Sequence, residues 1–334
     1  GEKEEGEKEE GSEVAVKTEP EAEPEPEAEA DDLTQASQES LDDLPLEGGL
    51  EALRGLVASL DTAVKFARAL TASLVPVGHL LSSSTPTDVV EAIKLLVMLC
   101  QFEVEGSQAA SRQMLPLVFS REAAVKDAMV DAFLQLFLAG ATEGTVDGHA
   151  HAARELVRLC LGANLGELAS LEQVVVELLQ RGVLPDGTLR ALWVELASAA
   201  SPNARAPPTP SECRAAVAVL GMAALHKPDM ITARLDTLLA VGFGPAAGRD
   251  TLLPYYTCIA MRRMLPSGAP RSQKFDPSHA VFSALARMVT APGLPEESWY
   301  ACAEQAIGAL YALHPRPDDV AAALLRQMAA GALP

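Results

Sequence analysis

From Leu50 to the end of the chain, apolar residues recur at three- and four-residue intervals and almost nowhere alternate, which commits the chain to helices rather than strands. Residues 85–138 show this most plainly. Thr85 stands as an N-cap, Pro86 takes the first helical position, and Asp88 lies near the exposed amides of the first turn. Val89, Ile93, Leu96, Val97 and Cys100 then form one apolar stripe. Gly106 opens a second helix, and Ser120 caps a third whose stripe is Val125, Met129, Phe133 and Leu136. Amphipathic helices joined by tight turns cannot bury their faces alone, so they must stack on neighbours.

The pattern predicts helices over 50–72, 74–82, 86–103, 106–119, 121–139, 147–162, 171–182, 187–200, 210–227, 229–241, 247–264, 278–290, 296–313 and 318–330. Thr209, Pro210 and Glu212 form a capping box. Ser170 with Gln173 reads as another, which favours helix for the β-branched run from Val174 to Val176. Pro116 and Pro254 fall inside helical patterns and should kink them. Two helices with their connections take roughly 35–45 residues, the period of HEAT-type repeats. Aromatics are only 4% of the chain, while the small and unbranched Ala and Leu suit closely layered helices. The expected fold is all-α, an α-solenoid of HEAT/armadillo-like repeats.

Charge divides the 334 residues unevenly. Residues 1–47 hold 19 acids and 3 lysines, a net of −16, whereas 48–334 hold 27 acids and 23 bases, a net of −4. Low hydrophobicity with high like charge cannot offset chain entropy, so 1–47 should be a disordered acidic segment and 48–334 the repeat array. The acidic tract suits a solvated spacer, or a nucleic-acid mimic that shields a basic surface or meets histone tails. The first residue is Gly1, and Pro334 follows a helical pattern directly, so a piece of a longer array is expected. The odd set Cys100, Cys160, Cys213, Cys258 and Cys302 has no paired spacing, which argues for buried reduced thiols over disulfides or zinc. There is no apolar run fit to span a membrane, no secretion signal and no Lys/Arg cluster for nuclear import.

Motifs for chemistry are sparse. Gly242, Phe243 and Gly244 follow a predicted helix and not a strand, so a helix-ending pair is expected rather than a phosphate loop. His149 and His151 point to different sides of a helix, without a supporting Cys or carboxylate. No catalytic constellation is evident, and neither cofactor nor small-molecule substrate is expected. Thr85-Pro86, Ser201-Pro202 and Thr209-Pro210 match the minimal proline-directed kinase pattern; Ser201, in an open loop, is the candidate phosphorylation site. Between Thr251 and Phe275 no acid occurs, while Arg262, Arg263, Arg271 and Lys274 carry four positive charges toward a Pro/Gly-containing loop. These are candidate contacts to a DNA backbone, as surface charges whose loss should leave the fold intact.

Several segments also resemble one family. DVVEAIKLLV followed by Phe102, then RQMLPLVFSRE and AFLQLFL, is similar to the central region of condensin complex subunit 1, the D2-type HEAT-repeat subunit. VLGMAALHKPDMITARLDTLLAVGFG (219–244) and WYACAEQAIGALYALHPRPDDV (299–320) resemble later repeats of that family. The resemblance covers roughly residues 50–334 and includes a basic inter-helix loop at 262–274. It implies a non-catalytic scaffold that holds the kleisin subunit, contacts the SMC ATPase heads and engages DNA or chromatin in mitotic condensation. Nucleus and mitotic chromosomes, with a cytoplasmic pool, are the implied locations. Another α-solenoid scaffold, of the transport-adaptor or phosphatase type, would share the fold but not the wording at 85–138.

Overall fold

The computed structural model describes residues 46–142, 144–201, 206–266, 268–290 and 295–332. Among them are fifteen α-helices and two 3-10 segments, and no strand. The chain divides into two units, residues 1–66 and 67–334. The acidic tract expected to be disordered lies, through residue 45, outside the described residues; Leu46 and Glu47 already belong to helix α1 (Leu46–Leu80).

Helix α1 corrects the expected break after residue 72, since it runs for 35 residues through Pro76. Proline there removes one backbone bond and Gly78 follows it, yet the helix continues, and Val77 and Leu81 beyond the proline are buried. The second unit continues with α2 (Pro86–Gln101), α3 (Ser107–Ser111), a 3-10 segment (Arg112–Phe119), α4 (Ala123–Phe137) and α5 (Ala139–Thr142). It goes on through α6 (Val146–Cys160), α7 (Leu165–Gln180), α8 (Asp186–Ala199), α9 (Pro210–Ala224), α10 (Asp229–Thr232) and α11 (Leu235–Gly242). Last come α12 (Leu252–Arg262), a 3-10 turn (Arg271–Gln273), α13 (Ala280–Thr290), α14 (Glu296–Leu313) and α15 (Pro317–Ala332).

These elements pack as two rows. In one, the first 3-10 segment, α7, α9, α12 and α14 are successive neighbours; in the other, α4, α6, α8 and α11 follow one another. Packing of α8 on α9, α11 on α12 and α13 on α14 joins the rows. Neighbour-to-neighbour packing of this kind is the helical-repeat arrangement the periodicity demanded.

Helix α9 shows why the rows close tightly. From Ala215 to Ala224 every residue is buried, as is Cys213. A helix apolar all round must be covered on all sides, and α9 meets α6, α7, α8 and α12. Small residues allow the approach: a Cβ placed on Gly221 would stand 3.3 Å from Ala260 Cβ of α12.

Helix ends follow local chemistry, with instructive departures. The capping box at Thr209 is present: the Thr209 N–H donates to Glu212 Oε2 at 2.7 Å, and the Glu212 N–H donates to Thr209 Oγ1 at 3.3 Å. The box expected at Ser170 is not, because α7 starts a turn and a half earlier at an Asn164–Glu167 box. Ser170 instead lies within α7 and donates its hydroxyl to the Gly166 carbonyl at 2.8 Å. Likewise α4 begins after Glu122 rather than Ser120, whose Oγ accepts from the Glu122 N–H. Pro116 yields no kinked α-helix: residues 112–119 tighten into 3-10 form. Pro254 falls in the first turn of α12, where proline costs little. The predicted helix over 229–241 splits into α10 and α11. At the end of α7, Gly182 takes φ +69°. Its N–H donates to Leu179 O and the Val183 N–H to Leu178 O, closing a Schellman turn.

A charge network ties the rows together across α4 and α7. Lys126 meets Glu177 at 2.5 Å, while Arg181 meets Glu177 and Asp127, each at 2.8 Å. The Lys126 hydrogen bond holds the Glu177 carboxyl below its ordinary 4.5, although partial burial opposes it. A depressed folded-state pKa stabilises the fold above 4.5, and that contribution is lost as pH falls through the folded value.

Two measurements test this account. Replacing Thr209 and Glu212 together with alanine should cost roughly 1–2 kcal/mol in chemical denaturation, through loss of both halves of the box. For Glu177→Gln, the stability deficit against the parent should be full at neutral pH and shrink under acid; a deficit independent of pH would show that the carboxylate charge is idle.

Candidate functional site

The connection from α12 to α13 carries all four of the basic residues singled out in the sequence, and the structure employs them unequally. Arg262 ends α12, lies exposed, and donates from Nη1 to Gln305 Oε1 of α14. Its guanidinium rests over Gly308, where a Cβ would come within 3.1–3.2 Å of Nε, Cδ and Cζ. Arg263 turns the other way: Nη1 donates to Gly221 O at 2.9 Å and Nη2 to Glu172 Oε2 at 2.6 Å, joining α12 to α9 and α7. Lys274 reaches the end of α14, donating from Nζ to Tyr311 O at 3.1 Å and His314 O at 3.2 Å. A cation there also complements the helix dipole. Arg271 sits exposed on the 3-10 turn.

Arg262 and Lys274 thus lean on the same helix, α14, and leave positive charge at the surface, with Arg271 between them in sequence. Arg263 is paired and largely withdrawn. The structure departs from the expectation of four simple surface charges at Arg263 and Lys274, which donate to carbonyls of neighbouring helices. Ser201 lies exposed just past α8, its N–H donating to Ser198 O at 3.1 Å; Pro202 falls outside the described residues.

Several grooves among the described residues escape sequence reasoning, and two bear on the site. The larger, about 530 Å³, runs between α6 and α8 with Val146, His149, Arg154, Arg190 and Val194 on its walls. The smaller, about 240 Å³, lies along α7, α9 and α12 and is lined by Leu165, Leu168, Met222, Tyr255, Tyr256 and Arg263. Leu165 is 83% exposed at its lip. The only hint in the sequence was apolar residues off the buried stripes, and these look like core positions. Because Arg263 edges this second groove and Arg262 follows α12 outward, one row of helices presents an aromatic groove and a basic connection side by side.

The thiols are held in their protonated form. Burial pushes Cys160 up to about 12 and Cys213 up to about 11, and it raises Cys258 further. His149 faces Thr188 across 3.4 Å and packs on Gly187, where a Cβ would clash with its ring. His151 is exposed. Among the described residues no group of three or more His, Cys, Asp or Glu is gathered to hold a metal ion. No described helix is long and apolar enough to cross a membrane.

No family model matches the chain. Individual relatives do. It is 30% identical over 284 residues, 85% of its length, to the condensin-1 complex subunit CAP-D2 of Arabidopsis thaliana. The chain belongs to the condensin subunit 1 family. Condensin complex subunit 1 of Homo sapiens is 28% identical over 285 residues, and that of Saccharomyces cerevisiae 24% over 297. The matches cover 83% of this chain in both cases. The chain spans about a fifth to a quarter of the length of these relatives.

Stability separates Arg263, bonded to neighbouring helices, from the exposed Arg271. Arg263→Ala leaves Glu172 and the Gly221 carbonyl without their donor and should cost about 1–3 kcal/mol. Arg271→Ala should stay within about 0.5 kcal/mol of the parent, as for an ordinary surface change; equal losses in the two variants would contradict this division.

Proposed function

We propose that this chain works as a non-catalytic scaffold within a condensin complex, holding an extended segment of the kleisin subunit and letting the assembly engage DNA. The relationship to condensin subunit 1 across 85% of the chain carries the reading. The groove along α7, α9 and α12 supports it: an aromatic, apolar floor with small residues such as Gly221 suits an extended peptide gripped at several points. The region from residue 48 onward does the holding, and the acidic tract before it is a spacer. Contact with the SMC ATPase heads, and a nuclear and chromosomal location with a cytoplasmic pool, follow from membership of that complex. Phosphorylation at Ser201, exposed beyond α8, would add charge to this scaffold without entering its core.

DNA contact is assigned to the α12–α13 connection, with Arg262 and Arg271 as the phosphate-facing charges. Arg263 and Lys274 hold the segment in place, Lys274 contributing its residual field. Nothing in this connection can enter a groove and read base edges, so binding is independent of sequence.

Co-precipitation with a kleisin fragment should succeed for the parent and fail when Tyr255 and Tyr256 are both changed to alanine; failure of the parent would sink the kleisin assignment. In the kleisin-bound complex, Arg262→Glu with Arg271→Glu should weaken duplex DNA binding. The salt slope of log K should flatten by about 0.9 for each phosphate that is no longer neutralised. Unchanged affinity and slope would place DNA contact elsewhere.

A further inference from the structure

Within the second unit, two grooves meet at one residue of α8. Arg190 lines the groove of about 530 Å³ toward α6, and it also lines a groove of about 470 Å³ toward the corner between α9 and α10. Leu189, Trp193, Pro228, Met230 and Arg234 wall the second groove. Trp193 is 2% exposed, and its Nε1 is buried without a hydrogen-bond partner. A buried donor left unmet costs free energy that an apolar ring would not, so the indole serves through its face. There Arg234 stacks, its Cζ 5.8 Å from the ring centroid. Stacking occupies the face of a guanidinium and leaves its in-plane N–H groups free. Lys227, another cation of this groove, is committed to Asp186 at 2.5 Å. Arg190 and Arg234 are exposed and, among the described residues, form no ion pair; Asp186 feels the Arg190 charge at longer range.

We propose that these two grooves form one docking surface for an extended segment of a protein partner, which sets an acidic side chain against Arg190 and Arg234 and an apolar one in the groove between α6 and α8. Charge complementarity selects this occupant. With Lys227 and Asp186 paired, the second groove holds two guanidinium groups against the single carboxylate of Asp229. Two guanidinium edges suit one incoming carboxylate. The groove toward α6 takes the apolar residue: Val146 and Val194 stand 83% and 67% exposed on its walls, and Glu195 repels a second acid. Crossing α8 takes about 10 Å, one helix diameter. Extended chain advances ~3.3 Å per residue, so acid and apolar residue stand about three residues apart. A nucleic acid suits this surface poorly, because its phosphates recur at every nucleotide and would pass Asp229 and Glu195 on the same path. Since α8 belongs to the other row from α7, α9 and α12, the surface is separate from the groove assigned to kleisin.

The test applies the full 334-residue chain to an array of short peptides in which one Asp and one Leu are walked through a Gly/Ser background. Retention should peak where the two stand about three residues apart. Fluorescence anisotropy of a retained peptide should show at least about tenfold weaker binding to the variant carrying Arg190→Glu and Arg234→Glu. Changing the peptide's Asp to Lys should restore binding to that variant and abolish it for the parent, a reciprocity that a disturbed fold would not produce. Both arginines are exposed, so helical circular dichroism should be unchanged. With Tyr255 and Tyr256 changed to alanine the chain should lose kleisin and keep the peptide; loss of the peptide there would move it to the other groove and overturn the proposal. An array without preference for the acid–apolar pair, an affinity indifferent to the arginine changes, or displacement of the peptide by duplex DNA would each overturn it as well.

Discussion

Burial of α9 on every side is the constraint on which the second unit depends. Once a helix has buried residues all round, helices must stand on each flank, and α6, α7, α8 and α12 do so. Complete coverage leaves no room for bulk. The chain meets this with Ala215, Ala216, Ala218, Gly221, Ala223 and Ala224, keeping larger volume to Val217, Val219, Leu220 and Met222. Each of those larger side chains, fully withdrawn from water, contributes about 1.5–3 kcal/mol, and the small ones allow the layers to approach closely enough to realise it.

Close layering raises a second problem, because helix ends brought against neighbours need partners for their last carbonyls. Long cationic side chains meet that need from the adjacent element. Arg112 donates to the carbonyls of Arg158 and Leu159 at the end of α6, Arg263 to Gly221 O, and Lys274 to the last turn of α14. The same residue type can therefore serve as a strut or as a phosphate contact, and composition alone does not say which. At the α12–α13 connection an inward and an outward arginine lie within a few residues: Arg263 faces inward to Glu172, and Arg271 is exposed.

Helices layered this way leave grooves between them at the surface. The thiols are held protonated by burial. The two grooves described above run between neighbouring helices, and that along α7, α9 and α12 is walled by apolar and aromatic side chains. Such grooves suit extended chains, which gain affinity by being held at many points rather than by one deep contact.

The sequence by itself determined that the chain is helical, where most helices lie, and that Thr209 with Glu212 begins one of them. Those properties rest on spacing and on bonds between residues three or four apart, which are local. The family was legible for the same reason, in ordered segments such as the one containing Phe102. Tertiary structure decided what local signals leave open. It placed the start of α7 at Asn164 and made Ser170 an interior residue, because two caps competed and packing chose between them. It carried α1 through Pro76, since buried neighbours can outweigh one missing backbone bond. It also divided four equivalent-looking cations into three bonded to neighbouring helices and an exposed Arg271. It set the grooves, whose apolar walls cannot be told from core in a one-dimensional pattern because both obey the same periodicity and differ only in whether another layer covers them.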